Sequence, residues 1–275
     1  MTDTFPAAPA ISSAIGYSTH EAIFVRGENL ATDLMGELDF GSMFYLLVTG
    51  HRPSAPQAKM FNACLVALAD HGLTPSAIAA RLTLLAAPDA IQGAIAAGIL
   101  GAGPKFLGVF EDVGKMLRAA KPEALATEAD FERAAGDIVA EYRNKGCLLP
   151  GLGHPIHKDG DPRTARLYEL ARGNNTYGPY MRLLELVRDT AETSTGRSLP
   201  INAGGACGAV LCDIGLPPDV LRGVAVVSRA AGLVGHLAEE QVSPIAEAVW
   251  FGTERQADQT RAVISTATPV ESDGV

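Results

Sequence analysis

The stretch that decides the fold of this chain reads Leu149-Pro150-Gly151-Leu152-Gly153-His154-Pro155-Ile156-His157-Lys158-Asp159-Gly160-Asp161-Pro162-Arg163. Gly151 and Gly153 lack a Cβ atom, so the backbone can approach a ligand closely at these positions. His154 can donate a hydrogen bond or a proton near neutral pH. Lys158 and Arg163 supply positive charge, and an arginine can bind a carboxylate through two hydrogen bonds at once.

Two interpretations of this stretch are open. It is either a loop that binds an anionic ligand, followed by a helix that begins near Pro162, or an ordinary surface turn rich in Gly, Pro and Asp. Local composition favours neither, so the choice depends on the rest of the chain.

The bulk composition narrows the class of protein. A length of 275 residues suits one large domain or two unequal ones. The net charge of −9 argues against a nucleic-acid-binding surface, although a local cluster of Arg and His can still bind an anionic substrate. The four cysteines have no spacing typical of a metal site, so we expect a reduced, cytoplasmic protein without a metal.

Neither a targeting segment nor a membrane span is expected. Residues 1–6 lack the basic-then-apolar order of a signal peptide. The longest apolar runs, such as residues 91–103, are too short and too rich in glycine to cross a bilayer.

The apolar residues recur with a helical period, and strict alternation is rare, which predicts a mainly α-helical chain. Residues 11–26 are expected to be extended or hairpin-like, residues 101–106 to interrupt the helices, and the polar tail after Gly252 to be loose at its end. The predicted helices cover residues 40–49, 56–69, 77–87, 90–100, 110–119, 127–144, 164–172, 180–194, 202–214 and 220–240.

Gly-Leu-Gly-His at residues 151–154, followed by Asp-Pro-Arg at 161–163, resembles the citrate synthase superfamily. The likeness extends to Ala-Asp-His-Gly at 69–72 and to the Arg-x-x-Gly-x-x-x-His pattern at 229–236. It implies an all-α, citrate-synthase-like fold in a homodimer. A large helical domain would comprise residues 1–107 and 217–275, and a smaller domain of residues 108–216 would close over a CoA ester.

The resemblance also implies roles for individual residues. His154 and His71 would be catalytic, and Arg163 and Arg229 would bind the carboxylates of the substrate, whereas His236 is more consistent with a structural role. The residues that would contact the CoA half are Pro150, Gly151, Gly153, Lys158, Gly103 and Lys105.

Phe106 separates two branches of the superfamily. Citrate synthases carry a catalytic histidine where this chain has Phe106, whereas citryl-CoA lyases and the citryl-CoA lyase module of ATP-citrate lyase resemble this chain in having phenylalanine. A phenyl ring cannot donate a hydrogen bond to a thioester carbonyl. The alternative is that Phe106 is simply a core residue.

Gly204 departs from the family pattern. Superfamily enzymes have an aspartate two residues after the asparagine that corresponds to Asn202, and this aspartate exchanges the proton next to the thioester. Glycine cannot perform acid–base chemistry. Asp213 lies too far along the helix to replace that aspartate, and the alternative interpretation is that small residues here let two helices pack closely.

These features predict a citryl-CoA lyase-like enzyme. It would cleave a hydroxy-polycarboxyl-CoA thioester to acetyl-CoA and a 2-oxo acid such as oxaloacetate, with the coenzyme A thioester as substrate and no metal. The alternatives are a catalytically impaired homologue that binds CoA esters, motivated by Gly204, and a condensing enzyme of the citrate synthase type. The partners expected are these small molecules and a second copy of the chain, with no nucleic acid and no membrane.

Overall fold

The computed structural model describes residues 12–153 and 160–266, with side chains up to residue 259. The chain forms two compact units. The first contains the described part of Met1–Ala67 together with Val109–Gly223, and the second contains Leu68–Gly108 and the described part of Val224–Val275. The division predicted above, 1–107 and 217–275 against 108–216, stays a prediction.

The first unit begins with a small antiparallel sheet in the order β1-β2-β3, followed by a π-helical turn at Leu30–Leu34. This confirms the hairpin-like entry. The strands are β1 (Gly16–Ser18), β2 (Ile23–Val25) and β3 (Glu28–Asn29). The helices are α1 (Phe40–Thr49), α2 (Ala55–Ala69, whose last two residues belong to the second unit), α6 (Val109–Ala119), α7 (Glu128–Asn144), α8 (Pro162–Gly173), α9 (Pro179–Thr195) and α10 (Ala203–Asp213), with 3-10 turns at Pro122–Ala124 and Pro218–Val220.

The second unit is helical throughout its described part. Its helices are α3 (Pro75–Ala86), α4 (Ile91–Leu100), α5 (Gly103–Leu107), α11 (Leu221–Val242, whose first three residues belong to the first unit) and α12 (Ala246–Thr266). The all-α fold class is thus confirmed.

Local sequence explains where many helices begin. Asp39, Thr74 and Asn202 each accept a backbone N–H at the start of α1, α3 and α10. Thr127 and Asp130 form a reciprocal capping box at the start of α7. These contacts satisfy N–H groups that have no partner within the helix.

Helix α10 is the buried centre of the first unit, since all of its residues from Ala203 to Cys212 are buried. Its small residues let α6 approach closely, because a Cβ on Gly208 would lie 2.8 Å from the carbonyl oxygen of Phe110.

The core of the second unit lies between α3, α4 and α11 and contains Ala77, Ala80, Leu84, Ala94, Leu233 and Leu237. The segment Pro218–Val242 is long and apolar enough to cross a membrane by length and composition alone. A core helix passes the same test, and Leu233 and Leu237 are fully buried. Core packing therefore accounts for part of this apolar character, since 33% of the most apolar window is buried.

One prediction about the second unit was wrong. Gly103–Leu107 is a short helix where a break was expected, because Pro104 occupies its first turn and lacks only an N–H that would have no partner. After Gly252 the chain continues as α12 to Thr266, and the end that was expected to be loose lies outside the described residues.

Candidate functional site

In the first unit, the described end of the glycine loop is joined to the start of α10. The backbone N–H of Asn202 donates to the carbonyl of Gly151 at 2.9 Å, and its side-chain amide donates to the carbonyl of Gly153 at 2.8 Å. Leu152 and Ile201 form an isolated antiparallel bridge between these contacts. The loop is therefore fixed in place by the residues that precede α10.

Both glycines of this loop have left-handed backbone angles, with φ +80° at Gly151 and +76° at Gly153. A Cβ on Gly151 would lie 2.7 Å from Cγ2 of Val113 and 2.8 Å from Cα of Gly205. No atom lies within 4 Å of a Cβ on Gly153. Gly151 thus allows contact with α10, and only Gly153 leaves open space on the described side of the loop.

Asp161 connects the Asp-Pro-Arg motif to α10. Its buried carboxylate accepts hydrogen bonds from Nε and Nη2 of Arg163, at 3.1 and 2.9 Å, and from the N–H of Ala203 at 3.1 Å. Burial raises the pKa of Asp161, but these hydrogen bonds outweigh it and hold the pKa below its usual value. Asp161 therefore orients Arg163, whose contact with a substrate carboxylate stays a prediction.

Gly204 is buried in the first turn of α10. A Cβ there would lie 2.5 Å from Cγ1 of Val109 and 3.2 Å from Oδ1 of Asn202. This is the close packing that small residues were expected to permit, and a carboxylate does not fit beside Val109 without movement.

Asp213 lies at the opposite end of α10, about 14 Å from Gly204 at the usual helical rise. Its carboxylate accepts the backbone N–H groups of Gly178, Tyr180 and Met181 and so caps α9. Burial raises the pKa of Asp213 to about 7, although the three N–H donors lower it. Asp213 is therefore a capping residue, consistent with the expectation that it cannot replace the family aspartate.

In the second unit, His71 is exposed at the tip of a tight turn. The carboxylate of Asp70 accepts the N–H of Gly72 at 2.9 Å, and Gly72 has a left-handed φ of +72°. The other carboxylate oxygen of Asp70 accepts a hydrogen bond from Nε2 of His236 at 2.8 Å. The turn that bears His71 is thus held by its own aspartate and by α11.

The Arg-x-x-Gly-x-x-x-His pattern of α11 lies against the backbone that precedes this turn. Nε and Nη2 of Arg229 both donate to the carbonyl of Leu68 at 3.3 Å. A Cβ on Gly232 would overlap the carbonyl oxygen of Ala69, so the close approach requires glycine. His236 is therefore structural, as expected, whereas the role of Arg229 toward a substrate carboxylate stays a prediction.

Phe106 and Lys105 lie on the exposed side of α5. Phe106 is 48% exposed, so the alternative that it is a core residue is wrong. The Lys105 ammonium lies 5.9 Å from the centre of the Phe106 ring, within the range of a cation–π contact. Gly103 begins the helix with φ +45°.

The candidate residues are divided between the two units. Pro150, Gly151, Gly153 and Arg163 belong to the first unit, and His71, Gly103, Lys105 and Arg229 to the second. His154 and Lys158 lie outside the described residues. No group of three or more His, Cys, Asp or Glu side chains able to hold a metal is found within the part that the structure describes.

Sequence reasoning gave no role to three residues of these contacts. Asp161 and Asp70 stand beside Arg163 and His71 in the motifs, and their position before a functional side chain is the signal that could have found them. Arg81, which binds His236, has only the weak signal of an arginine in an apolar helix.

Comparison with known proteins places this chain in a family. The family model described as "Citrate synthase, C-terminal domain" matches residues 6–246. The structure of citryl-CoA lyase from Hydrogenobacter thermophilus is similar, with a TM-score of 0.77 and 30% identity, over 86% of this chain and 88% of that one. ATP citrate lyase from Methanothrix soehngenii, solved in complex with citrate and coenzyme A, has a TM-score of 0.70 and 23% identity, over 86% of this chain and 40% of that one.

Among curated relatives, Citrate synthase 2 of Bacillus subtilis (strain 168) is 29% identical over 72% of this chain and 51% of its own length. The ATP-citrate synthase beta chain protein 2 of Arabidopsis thaliana is 25% identical over 66% of this chain and 31% of its own length. The chain thus spans about half the length, or less, of these curated relatives. The extent of the family match, together with the shared helical fold, shows that the chain belongs to the citrate synthase family.

Proposed function

We propose that this protein is a citryl-CoA lyase-type enzyme, which cleaves a hydroxy-polycarboxyl-CoA thioester to acetyl-CoA and a 2-oxo acid such as oxaloacetate. The similarity to the Hydrogenobacter lyase supports this, because it extends over 88% of that chain. The citrate synthase relative, by contrast, is matched over only 51% of its length.

The observation that carries the proposal is Phe106. It occupies the position where the resemblance places a catalytic histidine in citrate synthases, and its ring is half exposed rather than part of a core. A phenyl ring cannot provide the hydrogen bond that an imidazole would give to a thioester carbonyl. The resemblance gives phenylalanine at this position in citryl-CoA lyases, and so the lyase branch is favoured.

In the proposed reaction, the substrate hydroxyl loses its proton as the adjacent carbon–carbon bond breaks. The bond electrons pass to the acetyl-CoA fragment as an enolate, which then takes up a proton at carbon. His154 would polarise the oxygen that becomes the oxo group, Arg163 and Arg229 would bind carboxylates, and His71 would contact the oxo-acid half of the substrate. The groups that would contact the CoA half are Pro150, Gly151, Gly153, Lys158, Gly103 and Lys105.

Gly204 favours a second candidate function, that of a homologue that binds CoA esters and cleaves them only slowly. The described packing leaves no room for a carboxylate at this position, because Val109 occupies the space where a Cβ would lie. Without that carboxylate the enolate lacks the family's proton donor. Citrate synthase activity proper is disfavoured by Phe106 and Gly204 together.

The test is incubation of the purified protein with citryl-CoA, with acetyl-CoA and oxaloacetate measured over time. A parallel reaction supplies acetyl-CoA with oxaloacetate and follows the release of free CoA thiol. Equal amounts of acetyl-CoA and oxaloacetate from citryl-CoA support the lyase. Thiol release in the parallel reaction would favour a synthase, and tight CoA-ester binding without turnover would favour the binding homologue.

As part of this proposal, the family likeness supports a homodimer, and the cysteine spacing supports a reduced, cytoplasmic protein. Light scattering on a size-exclusion column tests the assembly, and a mass equal to one chain would contradict it.

A further inference from the structure

A chain of hydrogen bonds in the second unit connects α3 to the turn that bears His71. It starts at Arg81, which is only 1% exposed. Nη1 of Arg81 donates to a Glu240 carboxylate oxygen at 2.7 Å, and Nη2 donates to Glu239 and to Nδ1 of His236, the latter at 2.9 Å. A fully buried guanidinium is therefore fixed from both sides.

The donors and acceptors in this chain determine the tautomer of His236. A guanidinium has only N–H donors, so Nδ1 of His236 must accept from Arg81. The ring hydrogen is then on Nε2, which donates to Asp70 at 2.8 Å. Asp70 in turn accepts the N–H of Gly72 at 2.9 Å. Nδ1 of the imidazole is thus an acceptor and Nε2 a donor, and the other tautomer would break both hydrogen bonds.

The Glu240 end of this hydrogen-bond network is also held by backbone contacts. The second carboxylate oxygen of Glu240 accepts the N–H groups of Ile245 and Ala246, at 2.9 and 2.8 Å, at the start of α12. Glu240 is 7% exposed, so its pair with Arg81 is shielded from solvent. This buried part of the network is rigid, because opening the Arg81–Glu240 pair would leave a buried charge without a partner. Asp70, at the other end, is 55% exposed.

We propose that His236 is a positioning residue for His71. Its contact with Arg81 fixes the tautomer that donates to Asp70, and Asp70 sets the conformation of the turn from Asp70 to Gly72. The inference deepens the proposed function, since it rests on that function where it assumes that the positioned His71 meets the oxo-acid half of the substrate.

Two substitutions of similar size separate the roles of the two ring nitrogens. The amide of His236→Asn reaches the position of Nδ1, so it keeps an acceptor for Arg81 and loses the donor to Asp70. The amide of His236→Gln reaches the position of Nε2 and keeps the donor to Asp70. If His236 only filled space, the two substitutions would have the same effect on the turn.

The measurement is hydrogen exchange of the backbone amides of His71 and Gly72, with thermal unfolding followed alongside. We expect His236→Asn to speed their exchange about tenfold, and His236→Gln to leave it within about threefold of the parent. Equal exchange in the two variants would overturn the proposal. If His236→Asn does not fold, Asp70→Ser cuts the same link while keeping a side-chain acceptor for Gly72, and unchanged exchange in that variant would overturn it equally.

A double-mutant cycle on oxaloacetate affinity then distinguishes a failure of this inference from a failure of the proposed function. Oxaloacetate affinity is measured for the parent, His71→Ala, His236→Asn and the double variant. We expect His236→Asn to weaken binding about fivefold and the double variant to bind no more weakly than His71→Ala. If exchange changes but oxaloacetate affinity does not, the positioning role stands and the assignment of His71 to the oxo-acid pocket fails.

Discussion

Gly151 and Gly205 meet backbone to backbone, so that a Cβ on Gly205 would lie 2.6 Å from the carbonyl oxygen of Gly151. The reverse also holds, because a Cβ on Gly151 would lie 2.8 Å from Cα of Gly205. The contact joins the glycine loop to the first turn of α10, which also contains Gly204. The shape of the loop and the position of that helix are therefore linked.

Substitution Gly205→Ala is expected to destabilise the protein by about 1–3 kcal/mol, because the new methyl group meets rigid backbone. Denaturant unfolding gives the free energy of unfolding. Gly136→Ala is the matched control: Gly136 is within α7 with no atom within 4 Å of a Cβ, so we expect a gain of up to about 1 kcal/mol. Equal effects of the two changes would contradict the contact.

Asp161→Asn is expected to lower the free energy of unfolding by about 2–3 kcal/mol at pH 7, because it removes the buried charge that Arg163 and the N–H of Ala203 bind. Asp137→Asn, on the exposed side of α7, is the control and should have little effect.

The stability difference between the parent and Asp161→Asn should depend on pH, and the pKa of Asp161 sets the direction of that dependence. The folded pKa of Asp161 lies below its usual value, so its stabilising effect is present above the unfolded pKa of about 3.9 and is lost as the pH falls through the folded pKa. The difference between the parent and Asp161→Asn should therefore be full at pH 7 and shrink below about pH 4. A difference that grows on acidification would show that the folded pKa of Asp161 is raised rather than lowered.

Much of the helical fold follows from local sequence. The helix predicted at 127–144 is observed at Glu128–Asn144, and the one predicted at 180–194 at Pro179–Thr195. Caps such as Thr127 and the left-handed Gly196 mark these ends within a few residues. Local chemistry of this kind needs no knowledge of the rest of the chain.

The site contacts depend on residues far apart in the sequence. Glu239 and Glu240 lie about one turn after His236 in the sequence, but the structure places Arg81 between the imidazole and their carboxylates. The exposure of Phe106 likewise depends on what packs around α5. Periodicity indicates which face of a helix is apolar and does not identify its partners.

His154→Ala is expected to lower citryl-CoA turnover at least about a hundredfold, since a donor to the developing oxyanion contributes roughly 3 kcal/mol. His157→Ala, in the same loop, is the control and should keep turnover within about threefold. Similar losses in both variants would show that the loop as a whole, rather than the His154 imidazole, is needed.

The absence of a carboxylate at Gly204 leads to a test of the mechanism itself. The first turn of α10 suits an aspartate electrostatically, because the helix N-terminus attracts negative charge. Gly204→Asp alone should lose about 1–3 kcal/mol of stability, because its Cβ meets Cγ1 of Val109 at 2.5 Å. Adding Val109→Ala removes the side-chain atoms that cause this overlap.

The informative comparison is therefore between two double variants. They are Gly204→Asp/Val109→Ala and Gly204→Ala/Val109→Ala. Both have the same packing change, and they differ only in the carboxylate. If the enolate needs the family's proton donor, the first should cleave citryl-CoA roughly a hundredfold to ten-thousandfold faster than the second, at similar CoA affinity. A parent protein that is already fast, and slower with the aspartate, would mean that another group protonates the enolate or that the true substrate forms none. In the latter case a different CoA ester would replace citryl-CoA as the proposed substrate.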